Sequence, residues 1–252
     1  MSDSLRRACA DGVLSLTLDR PAKRNALDKA LVAELHAAID HAELDAGVRV
    51  VALTGAGRDF CAGADLAELL ASVDRTLDEN EAAALELGTL FLKFRRLPKP
   101  IVALVRGNAL AGGCGLATAC DLVLAAESAR LGYPEIQRGF VPAMVMALLR
   151  RLVGERVAFD LVATGRLLSA AEAQALGLVS RTLADDRFDA DAEQILAGLA
   201  DASGTALALT KQLLYDLDGR GVEDGIRLGA RVNAVARATP DFPTQVARFL
   251  QR

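Results

Sequence analysis

Two short glycine-rich segments carry the residue types best suited to chemistry in this chain. Cys61-Ala62-Gly63-Ala64-Asp65 follows an apolar run that ends at Leu53, and Ala111-Gly112-Gly113-Cys114-Gly115 follows another that ends at Val105. Each leads from a buried strand toward a helix. Small side chains let a ligand reach the main chain, and helix-start N–H groups point outward along a favourable dipole. Two such amides aimed at one oxygen form an oxyanion hole, which stabilises the enolate that develops when a thioester gains or loses an α-proton. Ordinary strand-to-helix connections also use glycine to relieve crowding, so either turn taken alone is open to both roles. The second turn is not a dinucleotide fingerprint, because Gly107, Gly112, Gly113 and Gly115 do not fall as G-x-G-x-x-G after a first strand.

Other chemistries have little to draw on. The two histidines, His36 and His41, fall in one segment that reads as a surface helix with both rings facing solvent, which leaves Ser-His-Asp and Cys-His mechanisms without a base. The four cysteines (Cys9, Cys61, Cys114, Cys120) form no CxxC pair and have no neighbouring histidine. Neither a metal site nor a disulfide framework is expected, and free thiols suit a reducing cytoplasm. The N-terminal MSDSLRRACADG lacks the apolar stretch of a secretory signal. A net charge of -4, from 29 basic and 33 acidic residues, argues against a nucleic-acid partner. Hydrophobic residues make up 52% of the chain, but charges interrupt every apolar run. None reaches the roughly 20 residues that span a bilayer, so no membrane partner is expected.

The elements that must position the two turns alternate. Gly12 to Asp19 places Leu14, Leu16 and Leu18 at strand spacing. Asp28 then caps a helix on which Leu31, Leu35, Ile39 and Ala42 share one face. Apolar runs at Val48 to Leu53, Ile101 to Val105 and Leu122 to Ala125 read as buried parallel strands. Helical stretches at Asp65 to Ser72, Asn80 to Phe94 and Gly113 to Ala119 lie between them, so the class is α/β with a mostly parallel sheet. From about Arg187 the strand signal ends and helices follow one another: Ala190 to Ala200, Thr205 to Leu217, Val222 to Ala238 and Thr244 to Gln251. The expected division is a core over 1–187 and a helical appendage over 188–252, at a length that suits a single catalytic domain.

Four segments in this order, RPAKRNAL (from Arg20), VALTGAGRDFCAGADL (from Val51), KPIVALVRGNALAGGCGLATACDLVLAAESARLGYPE (from Lys99) and LVGERVAFDLVATGRLLSAAEAQALGLVSR (from Leu152), resemble the crotonase superfamily of enoyl-CoA hydratases and isomerases. The resemblance implies a spiral of ββα repeats, C-terminal helices that build homotrimers or hexamers, and an acyl-CoA substrate with no separate cofactor. It places the oxyanion amides on Ala64 and Gly112, and the coenzyme A contacts on Ala62, Ala64, Asp65 and Leu66, with Ala26 nearby. Arg24 stands where a basic residue meets the nucleotide phosphates, or is a solvated surface arginine; a guanidinium suits phosphate.

The chain departs from the hydratase pattern in its acids. Hydratases of this family present two glutamates; here the first position is Gly115, and the second is Glu135 in Leu131-Gly132-Tyr133-Pro134-Glu135. Hydration must both activate water and protonate the α-carbon, whereas isomerisation can use one carboxyl alternately as base and acid. Glu135 is therefore the expected catalytic group, its pKa raised by an apolar pocket. Asp121 is expected to fix structure instead. Tyr133 is placed to donate to the acyl group or orient water, while Phe140, Met144 and Met146 either narrow the acyl site or pack as core on a helix after Pro142. The resemblance leaves open a decarboxylase with Arg138 near the departing carboxylate, and a coenzyme-A-ester-binding protein without catalysis.

Overall fold

The computed structural model describes residues 4–251. The main sheet has six strands in the order β1-β2-β3-β4-β6-β9: β1 (Leu5–Ala10), β2 (Val13–Leu18), β3 (Val50–Gly55), β4 (Ile101–Val105), β6 (Leu122–Ala126) and β9 (Arg181–Leu183). Only the β1–β2 pair is antiparallel. Its two-residue turn, Asp11-Gly12, has φ of 50° and 78°, the left-handed geometry of a tight hairpin. A second sheet joins β5 (Asn108–Leu110), β7 (Arg130–Gly132) and β8 (Leu167–Ser169).

Each central strand passes through the second layer before a helix. Strand β4 leads to β5 and then α4 (Gly112–Ala119), and β6 leads to β7 and then α5 (Ala143–Thr164), which is broken at Gly154. After β2 and β3 the second-layer element shrinks to isolated parallel bridges, Leu27 with Ala64 and Cys61 with Ala109. These lead to α1 (Lys29–Leu44) and to α2 (Leu66–Ala71) with α3 (Leu77–Arg96). The expected capping of α1 is met, since the Asp28 carboxylate accepts from Leu31 N at 2.8 Å. Leu31, Leu35, Ile39 and Ala42 are all buried in the core. His36 differs from expectation: it is largely covered, and its Nε2 lies 3.0 Å from the Glu86 carbonyl across α3.

The remaining helices are α6 (Ala170–Ala175), α7 (Phe188–Asp201), α8 (Gly204–Asp216), α9 (Val222–Arg237) and α10 (Asp241–Leu250). Ala192 and Leu196 of α7 pack with Val50, Ala52, Val102 and Leu124 on the second face of the main sheet. Helix α8 is fastened by a buried charge: Lys211 Nζ donates to Phe94 O at 2.7 Å, Lys99 O at 3.0 Å and Asp121 Oδ2 at 2.6 Å. Asp121 also accepts from Ile101 N at 2.7 Å and from the Tyr215 hydroxyl at 2.8 Å, which makes it a structural acid, as its sequence position suggests. Burial lowers the Lys211 pKa and Asp121 opposes that shift. Breaking such a pair strands the surviving charge, at a cost of about 3 kcal/mol or more. Lys211→Met is therefore expected to lower the urea midpoint strongly, and Asp121→Asn/Lys211→Met should recover part of the loss. A midpoint unchanged in the single variant would contradict this role.

Candidate active site

The second layer brings the two glycine turns together. The Cys61 amide donates to Asn108 O at 3.1 Å, and Leu110 N donates to Cys61 O at 2.9 Å. One residue further on, the chains touch so closely that only glycine fits. A Cβ on Gly63, whose φ is 97°, would lie 2.8 Å from Ala111 Cβ and 3.3 Å from Gly112 N. A Cβ on Gly112 would lie 3.8 Å from Ala64 N. The two turns thus bring the backbone nitrogens of Ala64 and Gly112 onto neighbouring stretches of chain. Gly112 opens α4, where a first-turn N–H has no intrahelical partner. Ala111 ahead of it is held at φ 52° and ψ -127°, a strained conformation for a residue with a Cβ, with its own N–H bound to Gly132 O at 2.8 Å.

The first turn is braced from below by residues whose roles sequence reasoning did not identify. Arg20 forms ion pairs with Asp28 at 2.8 Å and Asp65 at 3.1 Å, and also donates to the Ala26 carbonyl. Asp65 accepts from Ala67 N at 3.0 Å to start α2. Burial tends to raise the Asp65 pKa, but the Ala67 amide and Arg20 outweigh it and leave the carboxyl below its ordinary value. Asn25 is wholly buried; its Oδ1 accepts from Arg20 N at 3.0 Å, and its Nδ2 donates to Ala56 O at 2.9 Å and Asp59 O at 2.7 Å. The Asn25 carbonyl accepts from Cys61 Sγ at 3.0 Å. Burial pushes that thiol up to about 12, so Cys61 is a packing residue and not a nucleophile.

The coenzyme-side candidates lie along this rim. Ala62 N donates to Arg24 O at 3.0 Å, and Ala26 is buried beside it. Leu66 is 59% exposed. The Arg24 side chain is about half exposed and is held by one nitrogen, Nε to Asp59 Oδ2 at 2.7 Å. Asp59 is itself buried and accepts from Asn108 N at 3.0 Å. Burial raises the Asp59 pKa, yet Arg24 and Asn108 prevail and hold it below the usual range.

Glu135 follows β7 in a short 3-10 turn, Pro134–Arg138, that Gly139 closes at φ 67°. It is 7% exposed, and its Oε2 is a buried oxygen with no hydrogen-bond partner among the described residues. Burial raises its pKa, opposed by its own backbone amide and Arg138. The guanidinium of Arg138 turns back to Pro134 O at 3.3 Å. Tyr133 departs from expectation. Its ring is fully buried and its hydroxyl lies 2.6 Å from Thr118 Oγ1, which donates to Cys114 O at 2.8 Å, so the phenol braces α4. Phe140 is 46% exposed ahead of α5. Met144 and Met146, on the first turns of α5, pack against the core.

Position 115 is closed. A Cβ on Gly115 would meet Phe91 Cζ at 3.1 Å and Val145 Cγ2 at 3.3 Å. Phe91 and Val145 are both buried.

The family model described as enoyl-CoA hydratase/isomerase matches residues 8–236. A Thermus thermophilus protein provisionally named an enoyl-CoA hydratase is 46% identical over 235 residues, covering 93% of this chain and 93% of its own. The 2,3-dehydroadipyl-CoA hydratase of Escherichia coli is 36% identical, covering 95% of this chain and 92% of its own. The crystal structure of an enoyl-CoA hydratase from Mycobacterium smegmatis superposes with a TM-score of 0.93 at 32% identity, over 98% of this chain and 96% of that one. The spiral of ββα repeats is the crotonase fold, and the chain belongs to the enoyl-CoA hydratase/isomerase family.

Proposed function

We propose that the chain binds an enoyl-CoA thioester, polarises its carbonyl with the amides of Ala64 and Gly112, and moves protons at the neighbouring carbons with the single carboxyl of Glu135. The observation that carries this reading is the orphaned, buried Oε2 of Glu135. A buried carboxyl oxygen without a partner is costly unless something it serves occupies the space beside it. Its raised pKa suits a group that is base in one half-reaction and acid in the next.

As the α-proton leaves, charge accumulates on the thioester oxygen, and preformed amides stabilise it without reorganising. The strained Ala111 and the absence of side chains at Gly63 and Gly112 support this role for the turns. We assign the coenzyme to the rim formed by Arg24, Ala26, Ala62, Ala64, Asp65 and Leu66, with Arg24 toward the phosphates. The free face of its guanidinium suits an anion, and Asp59 orients it. The acyl chain runs toward Phe140 and Met144. No cofactor is needed, because coenzyme A arrives as part of the substrate. We assign the exposed apolar residues of α9 and α10, including Ile226, Phe242 and Phe249, to association of three copies, alone or paired as a hexamer. A cytoplasmic site of action fits the free thiols.

The test is a panel of crotonyl-CoA, a 3-enoyl-CoA and methylmalonyl-CoA, followed by absorbance and product mass. Turnover of an enoyl-CoA is the expected result. Tight binding of every thioester with no turnover would refute the enzymatic reading.

A further inference from the structure

The parallel strands β3, β4, β6 and β9 end side by side, and the loops that follow them line a cavity of about 470 Å³. Ligands of open α/β sheets sit outside the carboxyl ends of such strands. Arg58 follows β3, Arg106 follows β4, Ser128 follows β6 and Asp185 follows β9, while Asn108 and Arg130 open β5 and β7. The loops approach so closely that a Cβ on Gly107, held at φ 59°, would run into Arg58 O. Gly107 O accepts from Arg130 N at 2.9 Å, which ties the β4 loop to the start of β7. Of the three arginines, only Arg106 has an ion pair among the described residues, with Asp189 at 2.7 Å, and it also stacks on the Phe188 ring 4.7 Å from the centroid. Arg130 commits one nitrogen, to Ala129 O at 3.0 Å. The lining acid, Asp185, accepts from Ser128 Oγ at 2.7 Å. The chain as a whole carries a net charge of -4, so a lining of three arginines and one aspartate is not a general property of its surface.

We propose that this cavity is an anion site, separate from the substrate rim, that takes a diphosphate group, either free or as part of a nucleoside diphosphate. A guanidinium presents a planar fork that matches two phosphate oxygens, and three forks on three different loops exceed what a single phosphate needs. The volume falls within the range of small-molecule sites. Strand register separates the cavity from the groups assigned to chemistry. Asn108 pairs with Arg130 and Leu110 with Gly132, so the cavity lies at the start of two strands whose far ends lead to Gly112 and Glu135. At about 3.3 Å per residue, three residues put roughly 10 Å between the two ends. The buried Asp59 carboxylate stands between the cavity and Arg24, accepting from Asn108 N on Oδ1 and from Arg24 Nε on Oδ2. The inference therefore does not depend on the function proposed above.

Isothermal calorimetry on the full chain, saturated with coenzyme A to fill the substrate rim, measures the binding of pyrophosphate and, separately, of uridine diphosphate. One diphosphate per chain is expected, with a Kd below about 1 mM that weakens as salt rises. Arg58→Ala/Arg130→Ala, at two exposed positions, should weaken binding by at least about tenfold, while Arg24→Ala leaves it unchanged. Tighter binding of uridine diphosphate assigns the site to a nucleotide; equal or tighter binding of pyrophosphate assigns it to the diphosphate alone. Absence of binding by either probe at about 10 mM would overturn the inference. So would binding that survives the double variant, or binding that coenzyme A or Arg24→Ala abolishes, since the diphosphate would then lie elsewhere.

Discussion

Glu135→Gln is expected to lower kcat by roughly a thousandfold, within the range that general acid–base groups contribute, while thioester binding stays within about threefold. The same substitution is expected to stabilise the protein at alkaline pH. Burial holds the Glu135 carboxyl above its ordinary value of 4.5, so folding disfavours its ionised form relative to the unfolded chain. For a carboxyl with a raised folded pKa, the linked stabilisation is complete below the unfolded value and is lost as pH rises through the folded one. Wild-type stability should therefore decline through that window, whereas glutamine does not titrate. At pH 8 the variant should therefore unfold at a higher temperature than the wild type. The gap should close as pH falls toward 4.5. Calorimetry across pH measures it, and a variant less stable than the wild type at every pH would show that the carboxylate has structural partners in the folded protein.

The second large effect concerns a residue with no side chain. Gly63→Ala is expected to reduce kcat/KM by a hundredfold or more, the order seen when an oxyanion donor is lost. The added methyl would meet Ala111 Cβ at 2.8 Å and Leu110 O at 3.0 Å, and the residue would have to hold φ 97°. Both contacts press the Ala64 turn away from Gly112. The cost in stability should be of the order of 1 to 3 kcal/mol, because the strain is local. A folded Gly63→Ala protein with full activity would separate the two amides from catalysis. Ala64→Ser offers the complementary control, since that residue contributes through its backbone and should retain activity.

Much of the frame was legible in the sequence because it rests on burial. The central strands are continuous apolar runs, the Asp28 cap and the leucine face of α1 follow helical spacing, and the tail helices repeat it. Strand β1 escaped for a physical reason. As an edge strand with only Leu5 buried, it has no alternation to read, and only the Asp11-Gly12 turn marks it. Strands β5, β7 and β8 have three residues each, too few for a period to emerge. Within the tail, α7 packs on the sheet, whereas α9 and α10 contain no buried residue.

The site was legible where chemistry is carried by residue type and obscured where it is carried by contact. Glu135 and the glycine turns could be named from the chain. The placement of Tyr133 was misjudged because adjacency to Glu135 says nothing of direction; a phenol two residues before it points into α4 and bonds Thr118. Arg20 and Asn25 were visible within RPAKRNAL, but their role as braces depends on Asp65 and Asp59, roughly 40 residues away. Nor does a glycine at 115 reveal that Phe91 and Val145 fill the space it leaves.

A crystal structure with a bound, slowly reacting acyl-CoA analogue tests the central claim most directly. The account predicts the thioester oxygen at about 2.7 to 3.1 Å from both Ala64 N and Gly112 N, with the Glu135 carboxyl over C2. A thioester oxygen bonded to neither amide, or a Glu135 side chain turned away from the acyl chain, would contradict it.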